Sequence, residues 1–385
     1  MSRATDGPEE GRLFEIFFDL VRLGSEPGSE GEVCTYIRKF CTHMGFAVHE
    51  DAAAAATGSP CGNLVVRVPA GAFSPLEPVI LCAHMDTVKP SDHVIPFDLG
   101  DRFVSMSDTI LGADCKAGIA SILASVEHLK EVGGQFRALE LIFTVQEEPG
   151  LVGVKCLDMS LLDGSWGVVL DGSGPVGGIV IEAPSREELN FAVKGRAAHA
   201  GVEPEKGANA IACAARAISG VHIGRLDEIT TSNVGLISGG VAVNVVPESA
   251  EVAVELRSLS DERLAEERRR LVDSFERAAE EFGCEVEVEV TRSFDHFKLD
   301  ASGRPVYLLA RALKECGFEP GLTSSGGGSD ANVLNAQGLQ VAVMNIGLVN
   351  AHTKDEYIMK EELVGVARTV TELAYQAWEE GAPRA

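Results

Sequence analysis

The stretch VILCAHMDTV, residues 79–88, is an apolar strand that ends in a histidine and an aspartate. LELIFTVQEE, residues 139–148, is a second apolar run that ends in acidic residues, and WGVVLD, residues 166–171, is a third. Between the first two lies KAGIASILASVEHLK, which has the pattern of a helix. Continuous apolar strands separated by helices predict an α/β fold with a mostly parallel sheet and helices on both faces.

The sequence pattern changes after Ala183 and returns to the first pattern near residue 295. Between these points a strand, a helix, two strands, a long amphipathic helix and the alternating strand EVEVEVTRSF follow one another. EVEVEVTRSF has the alternation of a half-buried strand. This βαββαβ order predicts a self-contained two-layer α+β unit. The predicted domains are a discontinuous α/β domain, residues 1–185 and 294–385, and an inserted α+β domain, residues 186–293.

Composition limits the partners that we expect. The chain of 385 residues has a formal net charge of -25 and no basic stripe, which argues against a nucleic-acid partner. Its nine cysteines form no C-x-x-C pair, as expected for a reduced cytosolic protein. The N-terminus, MSRATDGPEE, is too polar for a signal peptide, and no apolar run is long enough to span a membrane. We therefore expect a cytoplasmic protein without a membrane partner.

Polar residues follow several of the predicted strands. In an open α/β sheet, ligands bind outside the carboxyl ends of the strands, so these side chains should converge on one edge. The alternative, that strands end in polar residues because loops are wet, explains any one of them but explains their joint occurrence poorly. Histidines together with carboxylates suit zinc, with cobalt or manganese possible. The residues concerned are His84, Asp86, Asp114, Glu147, Glu148, Asp171 and His352.

Spacing indicates some roles within this set. His84 and Asp86 project to the same side of an extended chain, so the carboxylate can accept the second imidazole N–H and fix the tautomer of a metal-binding histidine. The side chains of Glu147 and Glu148 point apart. One of them can bind metal while the other stays free as a general base.

Five motifs together resemble a known superfamily. HMDTV, LGADCKAG, TVQEEPGLVG, LDGSG and NAHTKDEY occur in the order found in the aminoacylase, carboxypeptidase and DapE superfamily of dinuclear zinc hydrolases. The second, third and fifth motifs are most similar to the peptidase T branch, the tripeptide aminopeptidases. The resemblance covers essentially the whole chain, including the inserted domain.

The resemblance implies a site with two zinc ions per chain. His84 and Asp171 would hold one metal, Glu148 and His352 the other, and Asp114 would bridge both. It further implies that Asp86 orients His84 and that Glu147 is the general base. Such a site hydrolyses a small peptide by metal-activated water.

One position departs from the peptidase T pattern. The residue after the bridging aspartate is usually acidic in this branch, and here it is Cys115. An acidic residue there could help to neutralise the substrate amine, so its absence weakens the expectation of a strict tripeptide aminopeptidase more than that of a metallohydrolase. Cys115 is otherwise a small buried residue, or, less readily, a metal ligand.

The resemblance also implies a substrate-binding set. His199 would stabilise the tetrahedral oxyanion, while Asn244 and Arg257 would grip the substrate carboxylate, which suits the planar fork of arginine. The glycine-rich loop TSSGGGSDAN, residues 323–332, would line the substrate pocket through Gly327 and Ser329. The alternatives are ordinary turn residues, a surface ion pair for the arginine, and a turn in which Ser329 or Asp330 caps the next helix.

The leading hypothesis is therefore a dinuclear zinc exopeptidase of the peptidase T type. Its rivals are another amide hydrolase on the same scaffold, such as a deacylase, dipeptidase or carboxypeptidase, and a catalytically inactive, metal-stabilised interaction protein. Relatives with this insert commonly dimerise through it, and its sheet edges invite such pairing. We therefore expect a homodimer joined by the inserted domain, in which His199 could reach the partner's metal site.

Overall fold

A computed structural model of the chain describes residues 7–71 and 76–380, so the first six residues of the polar N-terminal segment considered above lie outside it. No helix within these ranges is long and apolar enough to cross a membrane. The chain forms two compact units. The first comprises Met1–Glu182, Lys298–Ser324 and Ser329–Ala385, and the second Ala183–Phe297 and Ser325–Gly328. The sequence-based domain boundaries, with residues 186–293 as the insert, stay a prediction.

The described residues form α-helices and strands with the following bounds. The helices are α1 (Glu10–Arg22), α2 (Gly31–His43), α3 (Ala53–Thr57), α4 (Ala113–Val132), α5 (Val152–Lys155), α6 (Ala210–Ser219), α7 (Asp261–Phe282), α8 (Arg304–Glu315), α9 (Asp330–Ala336) and α10 (Lys360–Glu380). The strands are β1 (Ala47–Glu50), β2 (Leu64–Val68), β3 (Val79–His84), β4 (Pro96–Asp98), β5 (Arg102–Ser105), β6 (Leu139–Thr144), β7 (Trp166–Ser173), β8 (Gly178–Ala183), β9 (Ser185–Lys194), β10 (Gly224–Arg225), β11 (Thr230–Gly239), β12 (Ser249–Ser258), β13 (Glu285–Phe294), β14 (Phe297–Lys298), β15 (Gly321–Ser324), β16 (Gln340–Val349) and β17 (Tyr357–Met359).

The sheet of the first unit has the strand order β1-β2-β6-β3-β7-β16-β17-β5-β4. Its four central strands, β6, β3, β7 and β16, run parallel. Antiparallel strands extend it at both edges. The predicted α/β fold with a mostly parallel sheet is therefore confirmed, and the edges add strands whose direction the sequence did not indicate.

Helix α4 packs closely on the centre of this sheet because its residues are small. A Cβ atom added to Gly118 would lie 2.5 Å from the carbonyl oxygen of Leu170, so only glycine permits this approach of helix and strand. All six residues of β3 are buried, as expected for a strand covered on both faces. The close packing fixes the start of α4 beside the carboxyl ends of β3 and β7.

The second unit is an antiparallel sheet in the order β10-β11-β12-β9-β13, with α6 and α7 packed against it. Phe191 of β9 stacks on Phe275 of α7 with ring centroids 3.8 Å apart. The chain follows the predicted βαββαβ order, with the two-residue strand β10 added. The prediction that alternate residues of β13 are buried is wrong, because most residues of this strand are exposed. Because β13 is an edge strand, Val288 and Val290 remain 38% and 40% exposed.

Candidate metal centre and active site

The carboxyl ends of the parallel strands carry the predicted metal ligands of the first unit. His84 is the last residue of β3, Asp171 lies in the second half of β7, and Glu148 follows β6. His352 lies in the turn after β16 and has a positive φ of 64°. Asp114 lies within the first residues of α4 with non-helical backbone angles, and the regular helix begins at Lys116, as predicted.

The structure brings these five side chains together. Nε2 of His84 lies 3.3 Å from Oδ1 of Asp114 and 3.4 Å from Oδ1 of Asp171. Nε2 of His352 lies 3.1 Å from Oδ2 of Asp114 and 3.1 Å from Oε1 of Glu148. Each carboxylate oxygen of Asp114 therefore faces a different histidine.

These distances fit metal ions. Donor atoms arranged tetrahedrally around zinc at 2.0–2.2 Å lie about 3.3 Å apart, which is the spacing found here. Two groups of ligand atoms share Asp114, one with His84 and Asp171 and the other with Glu148 and His352. The described residues thus form a possible metal-binding cluster with two adjoining positions.

Asp86 is completely buried beside this cluster. Nδ1 of His84 lies 2.9 Å from the backbone oxygen of Asp86 and 3.4 Å from its Oδ1, so the closer partner is the carbonyl rather than the predicted carboxylate. The carboxylate instead accepts the backbone N–H groups of Glu147 at 2.9 Å and Glu148 at 3.1 Å. Asp86 therefore contacts both the histidine and the glutamate pair.

The two adjacent glutamates have different surroundings. Glu148 faces His352, whereas Glu147 shares a group of possible ligand atoms with His84 and Glu148 only. Burial, followed by the negative charge of Asp171, raises the pKa of Glu147 well above its usual range. A carboxyl group with a raised pKa is suited to accept and return a proton near neutral pH.

Cys115 is buried behind the cluster. Its thiol donates a hydrogen bond to the carbonyl oxygen of Leu170 at 2.7 Å, and burial raises its pKa well above the usual range. Sγ of Cys115 lies within 4.8 Å of ligand atoms of His84, Asp114 and Asp171. Because the thiol already donates to a backbone carbonyl, this contact favours the small buried residue over the metal ligand.

Sequence reasoning missed Glu356, which lies four residues after His352 in NAHTKDEY. Its carboxylate is 1% exposed and accepts the backbone N–H groups of Gly112 at 2.6 Å and Asp114 at 3.1 Å. Burial raises the pKa of this carboxyl group to about 7. The signal available in the sequence was an acidic residue directly before the strand YIM.

His199 and Asn244 are neighbours on the surface of the second unit. The backbone N–H of Ala200 donates to the carbonyl oxygen of Asn244 at 3.0 Å, and His199 forms a β-bridge with Val245. Nδ1 of His199 accepts the backbone N–H of Gly201 at 3.2 Å, so Nε2 is the ring nitrogen not used in this bond. Both side chains are exposed, so they are accessible to a ligand.

Arg257 lies at the end of β12 and forms a bidentate pair with Glu255, at 2.9 and 3.1 Å. Its Nη1 donates to the carbonyl oxygen of Gly326 at 3.2 Å, so it also holds the glycine-rich loop. Within this loop, the N–H of Gly327 donates to Oγ of Ser325 at 3.0 Å. The alternative in which Arg257 forms an ion pair with a glutamate is thus observed.

Ser329 belongs to the first unit and caps helix α9. Its side chain and that of Asn332 form a capping box, in which the N–H of Ser329 donates to Oδ1 of Asn332 at 3.0 Å. The capping alternative considered for Ser329 is therefore observed.

Comparison with known proteins identifies the family to which the chain belongs. The sequence model of Peptidase family M20/M25/M40 matches residues 80–376, so the chain belongs to this family and is a hydrolase that acts on peptides. It is 37% identical to the protein YqjE of Bacillus subtilis, over 96% of this chain and 99% of that one.

Two solved structures have a closely similar fold. One is the aminopeptidase PepT of Bacillus cereus, 38% identical with a TM-score of 0.88, where the match covers 96% of this chain and 99% of that one. The other is a tripeptidase of Staphylococcus aureus, 33% identical with a TM-score of 0.93, where the match covers 97% and 100%.

Proposed function

We propose that this protein is a dinuclear zinc exopeptidase that cleaves small peptides from their amino end, as a tripeptide aminopeptidase does. The observation that carries the proposal is the position of Asp114, whose two oxygens each face a different histidine at 3.1–3.3 Å. The similarity to an aminopeptidase and a tripeptidase supports the substrate class. Zinc is favoured by the mixed histidine and carboxylate ligands, with cobalt and manganese as substitutes.

In this proposal His84 and Asp171 would hold one ion, Glu148 and His352 would hold the other, and Asp114 would be shared by both. Ions bound there would polarise the scissile carbonyl and lower the pKa of a water molecule. Glu147 takes the proton of the attacking water and transfers it to the leaving amine.

For the second unit we propose the roles that the family resemblance implies. His199 stabilises the oxyanion, and Asn244 and Arg257 bind the substrate carboxylate. Gly327 and Ser329 contribute backbone to the wall of the substrate pocket. Because Arg257 already pairs with Glu255, it would bind a substrate carboxylate with the N–H groups that this pair and Gly326 leave unused.

The test combines metal analysis with substrate profiling. Protein stripped by a chelator is reloaded with Zn²⁺, Co²⁺ or Mn²⁺ and assayed with a free tripeptide, its N-acetylated form, its C-terminal amide and a dipeptide. We expect two ions per chain and cleavage that requires the free amine. Preference for the N-acetylated peptide would instead indicate a deacylase or carboxypeptidase, and metal binding without any cleavage would indicate an inactive protein.

We also propose that the protein is a homodimer joined by residues 186–293. Strand β10 pairs only with Thr231 and Ser232 of β11, so the rest of that edge carries no strand within the described unit. Large apolar side chains are exposed on β11 and in the residues after it. Leu236 is 73% exposed and Val241 is 86% exposed. An open edge flanked by apolar side chains favours pairing with a second copy.

A further inference from the structure

Glu356 joins two segments that both carry proposed metal ligands. Its carboxylate is 1% exposed, and Oε2 and Oε1 accept the N–H groups of Gly112 and Asp114 at 2.6 and 3.1 Å. Glu356 itself directly precedes β17, which pairs with β16 on one side and β5 on the other. This buried carboxylate therefore connects the segment that carries His352 to the segment that carries Asp114.

The turn from His352 to Glu356 is internally hydrogen-bonded. Oγ1 of Thr353 donates to the carbonyl oxygen of Asn350 at 2.7 Å, and the N–H of Glu356 donates to the carbonyl oxygen of Thr353 at 3.1 Å. Nδ2 of Asn350 donates to the carbonyl oxygen of Asp355 at 3.3 Å. These bonds connect Glu356 and Asp355 to Thr353 and Asn350, so the turn that contains His352 is held by its own hydrogen bonds.

The backbone that Glu356 contacts departs from helical geometry at the start of α4. Gly112 has a positive φ of 79°, and Asp114 has a ψ of 107°, so neither residue continues helix α4. The first N–H groups of a helix have no partner within the helix and need an acceptor from elsewhere. Here the acceptor comes from the side chain of Glu356, and it fixes the backbone of the residue whose two oxygens face both histidines.

We propose that Glu356 is a positioning residue that holds Asp114 at the correct distance from His352 and thereby sets the metal affinity of the centre. This inference rests on the proposed function, in which both residues bind metal. Groups that orient metal ligands typically contribute a factor of about 10–100 to metal affinity. The loss of metal affinity should affect the position formed by Asp114, Glu148 and His352, because Glu356 links the backbone segments of Asp114 and His352.

Glu356→Gln is the informative variant. It keeps the size of the side chain but replaces one acceptor oxygen by an amide NH₂ group. This group is a donor, so it cannot accept the backbone N–H that the oxygen accepted. Glu140→Gln is its matched control. Glu140 is also 1% exposed and accepts the N–H groups of Asp163 at 3.0 Å and Gly164 at 2.9 Å, but it lies near the opposite end of β6.

The readout is binding of Zn²⁺ to the metal-free proteins by calorimetry, together with the visible spectrum of the Co²⁺-loaded forms. We expect Glu356→Gln to bind one of two ions about 10–100-fold more weakly and to change the Co²⁺ spectrum. Glu140→Gln should keep wild-type affinity and spectrum, whatever its loss of stability in urea. Glu356→Asp keeps the charge but is one methylene shorter, so it should also bind Zn²⁺ more weakly than the wild type. This variant replaces Glu356→Gln in the experiment if Glu356→Gln does not fold.

Three results would overturn the inference. Wild-type affinity and spectrum in the folded Glu356 variants would reject it and leave the proposed function intact. An equal loss in Glu140→Gln would show that the effect comes from general destabilisation. A wild-type protein that takes up no Zn²⁺ would reject the proposed function, and the inference with it.

Discussion

Oδ1 of Asp86 accepts the backbone N–H of Glu147 at 2.9 Å, although the two residues follow different strands of the sheet. Its second oxygen accepts the N–H of Glu148 at 3.1 Å. One buried carboxylate therefore fixes the backbone of the proposed base and of a proposed metal ligand. The same residue contacts the imidazole of His84 through its carbonyl oxygen, so it connects the ends of β3 and β6.

Replacing Asp86 with asparagine should weaken both metal binding and turnover. The amide of Asp86→Asn presents hydrogens to one of two N–H groups, so one of the bonds to Glu147 and Glu148 is lost. We expect about 10–100-fold lower metal affinity, measured by calorimetry. Asp51→Asn is the control, because each carboxylate oxygen of Asp51 also accepts a backbone N–H, from Ala53 at 2.9 Å and from Asp158 at 3.4 Å. Equal effects of the two substitutions would contradict a specific role for Asp86.

Glu147 and Glu148 should respond in opposite ways to substitution with glutamine. Glu147→Gln removes the proton acceptor but no proposed ligand, so metal content should stay at the wild-type level while kcat falls by about 10²–10⁴. Glu148→Gln removes a ligand, so metal content itself should fall. Metal analysis of each purified variant and steady-state assays separate the two outcomes. If Glu147→Gln loses metal and Glu148→Gln does not, the two roles are exchanged.

Metal uptake should release protons. Hydrogen bonds to Asp114 and Glu148 raise the pKa of His352 to about 10 in the metal-free protein, so its imidazole is charged at pH 7. A metal ligand must be neutral, so binding displaces this proton, and affinity should rise about tenfold per pH unit between pH 7 and 9. Calorimetry in buffers of different ionisation enthalpy counts the protons. Affinity independent of pH over this range would contradict the assignment of His352 as a ligand.

A charge on the open edge of β11 should dissociate the proposed dimer. Leu236 is 73% exposed, so Leu236→Asp should leave the fold of the single chain intact while placing two charges at the interface. Light scattering should give the mass of one chain for this variant and of two for the wild type. Val132→Asp, at a position 55% exposed in α4, is the matched control and should remain dimeric. A wild-type protein that is monomeric and fully active would reject the dimer.

The central strands could be predicted because burial on both faces requires uninterrupted apolar residues. The run VILCAH has that composition, and in the structure every residue of β3 is buried. The same reasoning gathered the candidate ligands, since parallel strands bring their carboxyl ends to one edge. Strand β17 is only three residues long, so its pattern could not be recognised, and the buried position of Glu356 directly before it was missed.

Contacts between side chains and backbone groups distant in sequence could not be predicted either. The pattern His84-x-Asp86 indicated a contact between the two residues, but the acceptor that lies closest to the imidazole is the backbone carbonyl. Nothing in the spacing shows that the carboxylate of Asp86 is used by residues that follow another strand. The pairing of Arg257 with Glu255 depends on the conformation of two long side chains, which a single sequence does not determine.

The strand order of the first unit has a consequence for biosynthesis. Strand β16 completes the parallel centre beside β7, but it is translated only after the whole second unit. A chain still emerging from the ribosome carries His84, Asp114, Glu148 and Asp171 before His352 has been made. Domains generally fold in the order of their synthesis, so the nascent protein carries only part of the proposed centre. If His352 is a metal ligand as proposed, we expect hydrolytic activity only when nearly all of the chain has been translated.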